Sequence, residues 1–305
     1  MSTPTVCRRS FLKYVAATLA GGGIASTARA VEPFNRPGKP VLRLSLAAYS
    51  FRDFFNAAEP AKRLTLPQFI DFCAEHGCEG TELTSYYFPK PLDSAFLIRL
   101  KRHAFLRGLT ISGTAVGNNF ARPPGPELDR EIAAVKEWID HAAVLGAPHI
   151  RVFAGEARGL DKAEAKRQCI RALEECGEYA GRRGIWLGLE NHGGIVAQVD
   201  DLLEILGAVK SPWVGVNFDG GNFYGPGDPY DDMARLAPYA VNAQIKVEVH
   251  HPGQGKKPAD LPRIVRILRD ANYQGFVALE YEANEDPRRA VPVWLNRLRE
   301  AFAGA

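Results

Sequence analysis

Four short apolar runs in the second half of the sequence each carry, at or near their end, an oxygen-bearing side chain that can bind a cation. They are Trp186-Leu-Gly-Leu-Glu190, Val214-Gly-Val-Asn-Phe-Asp219, Val241-Asn-Ala-Gln244-Ile-Lys246 and Phe276-Val-Ala-Leu-Glu280. Apolar runs of this length, bounded by Gly or polar residues, read as buried parallel strands. Where such strands alternate with helices around a barrel, the residues at their carboxyl ends gather on one rim. Glu190, Asp219, Gln244 and Glu280 are therefore expected to converge on one divalent cation. Three carboxylates and an amide oxygen form a hard, all-oxygen set. It favours Mn²⁺, then Mg²⁺, over Zn²⁺, which prefers His and Cys.

The rest of the chain supplies the elements needed to position them. Strands are expected at 41–46, 80–83, 109–116 and 149–153, ahead of the four already named. Helices are expected between them. One follows the cap at Thr65, with Pro67 in its first turn. Others cover 92–107, 127–145, 161–183, 199–209, 230–236, 258–271 and 286–302. Eight strands alternating with eight helices predict an α/β chain folded as a (β/α)8 TIM barrel of ordinary size. A doubly wound open sheet is disfavoured, because no GxGxxG follows the first strand.

The 305 residues hold 38 basic and 35 acidic side chains. Arg8, Arg9, Lys13 and Arg29 all fall in the first thirty residues, which contain no acid, and the remainder is almost neutral. That balance gives no basic footprint for nucleic acid. Arg8-Arg9-Ser-Phe-Leu-Lys13, an apolar stretch and Ala28-Arg29-Ala30 follow one another in the order of a twin-arginine signal peptide with its cleavage site. Residues 1–30 are thus expected to be removed after export to the periplasm by the twin-arginine machinery. Residues 31–40 then form a linker and 41–305 a single domain. No internal stretch is long and apolar enough to span a bilayer. Cys73, Cys78, Cys169 and Cys176 form no CxxC pair and are expected as buried free thiols.

The segments Leu189-Glu190-Asn191-His192, Asn217-Phe218-Asp219, Gln244-Ile-Lys246 and Leu279-Glu280 resemble the metal motifs of the xylose isomerase-like sugar isomerases and epimerases. The resemblance covers the whole mature chain and is most specific in its second half. It implies that Glu190, Asp219 and Glu280 bind Mn²⁺ or a similar ion, and that Glu190 and Glu280 are also the acid/base pair. Two positions depart from the pattern. Gln244 stands where the family usually has His, and an Asp-x-x-His motif reads Asp219-Gly-Gly-Asn222. The implied chemistry is removal of a proton from carbon next to a sugar carbonyl, with the enediolate stabilised by the metal.

Lys246, His250, His192 and Asn222 are candidate contacts to substrate hydroxyls. Glu82 and Tyr49, near the ends of the second and first strands, are weaker candidates. The same enediolate could instead lead to β-elimination from a 3-keto-glycoside. Loss of turnover would leave a secreted carbohydrate-binding protein. A nuclease on this barrel needs a His-rich trinuclear zinc site, which seven His residues, several of them on helices, do not provide.

Overall fold

The computed structural model describes residues 31–304. Its elements in chain order are β1 (Val41–Ala47), α1 (Arg52–Phe55, a single turn), α2 (Leu66–Glu75), β2 (Gly80–Thr84), α3 (Ser94–Leu106), β3 (Thr110–Ala115), α4 (Pro126–Leu145), β4 (His149–Val152), α5 (Lys162–Gly181), β5 (Trp186–Glu190), α6 (Val199–Ala208), β6 (Val214–Asp219), α7 (Pro229–Leu236), β7 (Ala240–Lys246), β8 (Glu248–His251), β9 (Gly255–Pro258), α8 (Leu261–Asp270), β10 (Gln274–Glu280) and α9 (Pro287–Gly304). Eight strands close into a parallel barrel in the order β1-β10-β7-β6-β5-β4-β3-β2. This is the expected (β/α)8 barrel. The signal peptide expected at residues 1–30 lies outside the described residues.

Local sequence chemistry starts the helices where the reading placed them. Thr65 and Gln68 form a reciprocal capping box at α2, and Asp93, Asp161 and Asp228 cap α3, α5 and α7 through their side chains. Each cap satisfies a backbone N–H that the first helical turn leaves free. The strands bury both faces, one against the helices and one inside the barrel, as their near-continuous apolar runs require. Strand β2 is buried at every residue, and so is β6. In β3, Gly113 lies so close to the buried His149 ring that a Cβ there would sit 1.9 Å from it. Among the described residues Cys73, Cys78, Cys169 and Cys176 are free and buried, as expected.

Two features depart from the reading. Residues 258–271 were expected as one helix, but β8 and β9 form an antiparallel hairpin that pairs Glu248 with Pro258. Helix α8 begins only at Leu261, behind the cap at Asp260. The hairpin escaped notice because β9 is exposed along its whole length and shows no apolar alternation. The second departure is in register. Pairing of β2 with β3 shifts between Thr81 and Glu82, and pairing of β6 with β7 shifts between Val216 and Asn217. Such irregularities re-aim the side chains beside them, and Glu82 and Asn217 are linked through Asn242 and Gln244.

Candidate active site

Glu190, Asp219, Lys246 and Glu280 end four adjacent strands, β5, β6, β7 and β10, and so share the carboxyl-terminal mouth of the barrel. Arg151 joins them from β4, with its Nε 2.9 Å from Glu190 Oε2. The Lys246 ammonium lies 3.4 Å from Asp219 Oδ2, 3.5 Å from Glu280 Oε2 and 2.5 Å from Glu282 Oε2. Its side chain is only 12% exposed. Lys246 therefore sits among the carboxylates, a more central place than the substrate contact expected of it.

The loop after β6 is held by an amide clamp. Asn191 Oδ1 accepts from the backbone N–H of Asp219 at 2.9 Å, while Asn191 Nδ2 donates to the carbonyls of Asp219 and Asn222 at 3.0 and 3.1 Å. Asp219 Oδ1 accepts from the N–H groups of Gly221 and Asn222 at 2.8 and 3.1 Å. Its other oxygen, Oδ2, is buried without a hydrogen-bond partner. Asn222 Nδ2 then donates to Glu190 Oε1 at 3.2 Å. The turn Asp219-Gly-Gly-Asn222 thus orients one carboxylate and holds the next.

Electrostatics follow from burial. Glu190 is pushed up to about 7 by desolvation, which Arg151 opposes and Glu280 reinforces. Glu280 is also raised to about 7, by desolvation against the pull of Lys246 and with repulsion from Asp219. Asp219 rises to about 6, again by burial against Lys246. Lys246 is held well above its ordinary value because its carboxylate neighbours outweigh desolvation. Burial thus favours the protonated form of these carboxyls, while Lys246 and Arg151 stay charged.

Gln244 does not join this group. Its Nε2 donates to Glu82 Oε1, and its Oε1 accepts from Asn217 Nδ2 at 2.6 Å. Asn242 Nδ2 closes a ring by donating to Glu82 Oε2 at 2.7 Å and to Asn217 Oδ1 at 2.9 Å. Gln244, expected as a metal ligand, has both amide atoms hydrogen-bonded within the barrel. Glu82, expected as a substrate contact, is 1% exposed and belongs to the same ring. Burial and the Glu280 charge raise Glu82 to about 7.

The remaining candidates line the mouth. Tyr49 faces it from the end of β1, where burial and then the Glu282 charge raise its hydroxyl above the usual range. His192 packs its ring 4.5 Å from Phe153. Desolvation, then the Arg151 and Lys246 charges, lower it to about 4. His250 lies on the β8 strand of the hairpin, 5.6 Å from the Tyr224 ring. Sequence reasoning missed Arg151, Asn191 and Glu282. A charged residue inside the short apolar run His149-Ile-Arg151-Val was the visible signal for Arg151.

The donor chemistry suits a divalent ion. Four carboxyls, Glu190, Asp219, Glu280 and Glu282, accompany two cations, and Asp219 Oδ2 makes no hydrogen bond, only the 3.4 Å ion pair with Lys246. The spacing is set by Lys246, and among the described residues no group of three His, Cys, Asp or Glu side chains is drawn together for an ion.

A family model described as "Xylose isomerase-like TIM barrel" matches residues 70–299. The chain belongs to that family. Among characterised relatives, the rhizopine catabolism protein MocC of Rhizobium meliloti is 26% identical over 264 residues, which are 75% of this chain and 77% of that protein. D-psicose 3-epimerase of Clostridium cellulolyticum H10, solved with D-tagatose, superposes with a TM-score of 0.67 and 15% identity. The match covers 85% of this chain and 99% of the epimerase. The 3-keto-D-glucoside 4-epimerase YcjR of E. coli superposes with a TM-score of 0.64 and 15% identity, covering 85% and 99%. At that identity the two structures bear on the fold, and epimerases are among its occupants.

Proposed function

We propose that this chain is a sugar isomerase or epimerase that moves a proton on the carbon next to a carbonyl, with Glu190 and Glu280 as the acid/base pair. The observation that carries the reading is the pair itself: two buried carboxyls that end β5 and β10 at one barrel mouth, beside Lys246 and Arg151. Carboxyls held at one site can take and return a proton. One carboxylate removes the proton, and the C–H electron pair moves onto the carbonyl to give an enediolate. The other carboxyl then returns a proton, to the same carbon from the opposite face in epimerisation or to the neighbouring carbon in isomerisation. Lys246 and Arg151 offer positive charge where the oxyanion develops. His192, neutral at pH 7, and Asn222 are placed to contact substrate hydroxyls, with Tyr49 and His250 farther out.

We also propose one divalent cation, Mn²⁺ foremost, held by Glu190, Asp219 and Glu280. When bound, it would supply the positive charge that polarises the substrate carbonyl. The Asp219 oxygen that makes no hydrogen bond and the excess of carboxyls over cations support this. Elemental analysis of protein purified without chelator tests it, and zinc at full occupancy would overturn the choice of metal. Export by the twin-arginine route with cleavage before Val31 belongs to the same proposal, and a retained Met1 in periplasmic protein would sink it.

The deciding experiment is hydrogen exchange. Ketohexoses and 3-keto-glucosides incubated in D2O with the metal-loaded protein are expected to gain deuterium next to the carbonyl, and Glu190→Gln is expected to abolish that gain. The products separate a changed configuration from release of an aglycone by β-elimination. Folded, metal-loaded protein that exchanges no such proton would end this reading.

A further inference from the structure

We infer that the site continues into a second compartment that takes a neutral, hydroxyl-rich ring, so that the ligand is a glycoside and not a free monosaccharide. This rests on the catalytic reading just given. The compartment is a cavity of about 270 Å³ between the loops that follow β3, β4 and β5, lined by Asn118, Phe153, Glu156, Arg158, His192 and Gly194 among others. Small-molecule sites usually span roughly 300–1,000 Å³, so the cavity suits one ring.

The cavity adjoins the reacting centre through a shared wall. Phe153 and His192, with ring centroids 4.5 Å apart, form that wall. The Arg151 guanidinium lies 3.9 Å from the Phe153 centroid and binds Glu190. A sugar ring beside Glu190 therefore has the cavity as its neighbour across Phe153 and His192. A larger cavity of about 510 Å³ opens between the β2–α3 loop and α4; no mouth carboxylate lines either cavity, but only the smaller one is lined by Phe153 and His192.

The compartment is built in advance. Asn118 donates to the Phe153 carbonyl at 2.8 Å and accepts from its N–H at 2.9 Å. Asn119 Nδ2 donates to the Glu156 carbonyl at 3.2 Å. Ile195 N–H donates to the Gly155 carbonyl at 3.0 Å, which ties the β5 loop to the β4 loop. They approach so closely at Gly194, with φ +57°, that a Cβ there would lie 2.2 Å from the Gly155 oxygen. A prearranged pocket spares the ligand the cost of ordering its loops.

The lining also selects the chemistry. Glu156 offers an acceptor, Arg158 donors and His192 its ring nitrogens. An anion would meet Glu156 and a cation would meet Arg158, whereas a polyol satisfies both.

Calorimetry on the purified full chain tests the inference, with glucose, cellobiose, maltose and trehalose as probes. At least one disaccharide is expected to bind about tenfold or more tightly than glucose. That ratio is expected to fall toward one in Arg158→Ala and Glu156→Gln, both on an exposed loop where the fold is retained. Disaccharides no tighter than glucose, or a ratio that survives in the double variant, overturn the inference. The two readings fail separately. Exchange into free ketoses with no disaccharide preference removes the second compartment and leaves the catalytic pair. An Arg158-dependent disaccharide preference with no exchange into any sugar keeps the compartment and removes the catalytic pair.

Discussion

Two buried polar regions are stacked inside this barrel, and they are built from nearly the same residue types. The lower one, Glu82, Asn217, Asn242 and Gln244, closes into a ring in which both Glu82 oxygens and both Gln244 amide atoms have partners and Asn242 Oδ1, an uncharged atom, has none. The upper one, Glu190, Asp219, Glu280, Lys246 and Arg151, has an Asp219 oxygen that makes no hydrogen bond and only a 3.4 Å ion pair with Lys246, and an excess of carboxyl groups. A satisfied buried network makes its neighbourhood rigid. An unsatisfied one stores charge that a substrate or a cation can relieve. The two differ less in composition than in connectivity. The ring is a floor that holds β2, β6 and β7 in register, and the mouth above it is where chemistry is placed.

If the mouth is the reacting centre, Glu190→Gln and Glu280→Gln should each lower kcat by roughly 10²–10⁴-fold, the usual worth of a positioned acid or base. Thermal unfolding should change little in Glu280→Gln, because Gln is nearly isosteric, whereas Glu190→Gln also leaves the buried Arg151 without its carboxylate and should lower the melting point. Deuterium exchange and a melting curve on the same samples check this, and a variant that keeps its turnover would remove that residue from the pair. Lys246→Met should have the next largest effect. Removing one partner from a buried charge group costs up to about 3–5 kcal/mol. The loss should be large in chelator and smaller with Mn²⁺, because the ion replaces the missing positive charge. Melting curves with and without Mn²⁺ measure the difference. Equal losses in both would show that no cation enters among the carboxylates.

The barrel and three of the mouth carboxylates were legible in the sequence for one reason: apolar strands of four to seven residues that end on Glu or Asp state both the fold and the rim. The ring was not legible. Glu82 meets Gln244 across 162 positions of sequence, and the meeting depends on register shifts beside Glu82 and Asn217. Gln244 therefore read as a rim ligand, two residues from Lys246, when its amide points into the barrel. Arg151 was hidden by the same property that revealed the strands. A parallel barrel strand is buried on both faces, so its pattern does not say which residues turn inward. The β8–β9 hairpin left no trace because it is short and its second strand is exposed.

Gln244→Ala separates the two regions directly. It deprives Glu82 of one donor and Asn217 of its acceptor, and should cost about 1–3 kcal/mol for polar groups left without partners. Mn²⁺ affinity should stay within a few-fold of the parent, because the carboxylates above are untouched. Urea unfolding and metal titration measure the two quantities. If affinity collapses instead, Gln244 is a ligand and the ring belongs to the site.

The smallest expected effect is a slope in stability against pH. Glu82 in the ring, and Glu190 and Glu280 in the mouth, are all raised to about 7 from an ordinary value of 4.5. A raised carboxyl keeps in the folded state a proton that the unfolded chain has released. Its contribution to stability is therefore full below the ordinary value and is lost as pH rises toward and through about 7. Without metal, the urea midpoint should fall steadily from about pH 5 to about pH 8. Mn²⁺ should flatten only the share that belongs to Glu190 and Glu280, because a bound cation keeps them ionised. Glu82→Gln should flatten only the share of the ring, and the two changes should add. If Glu82→Gln leaves the slope unchanged, Glu82 is ionised among its amides, and the lower region carries charge as the upper one does.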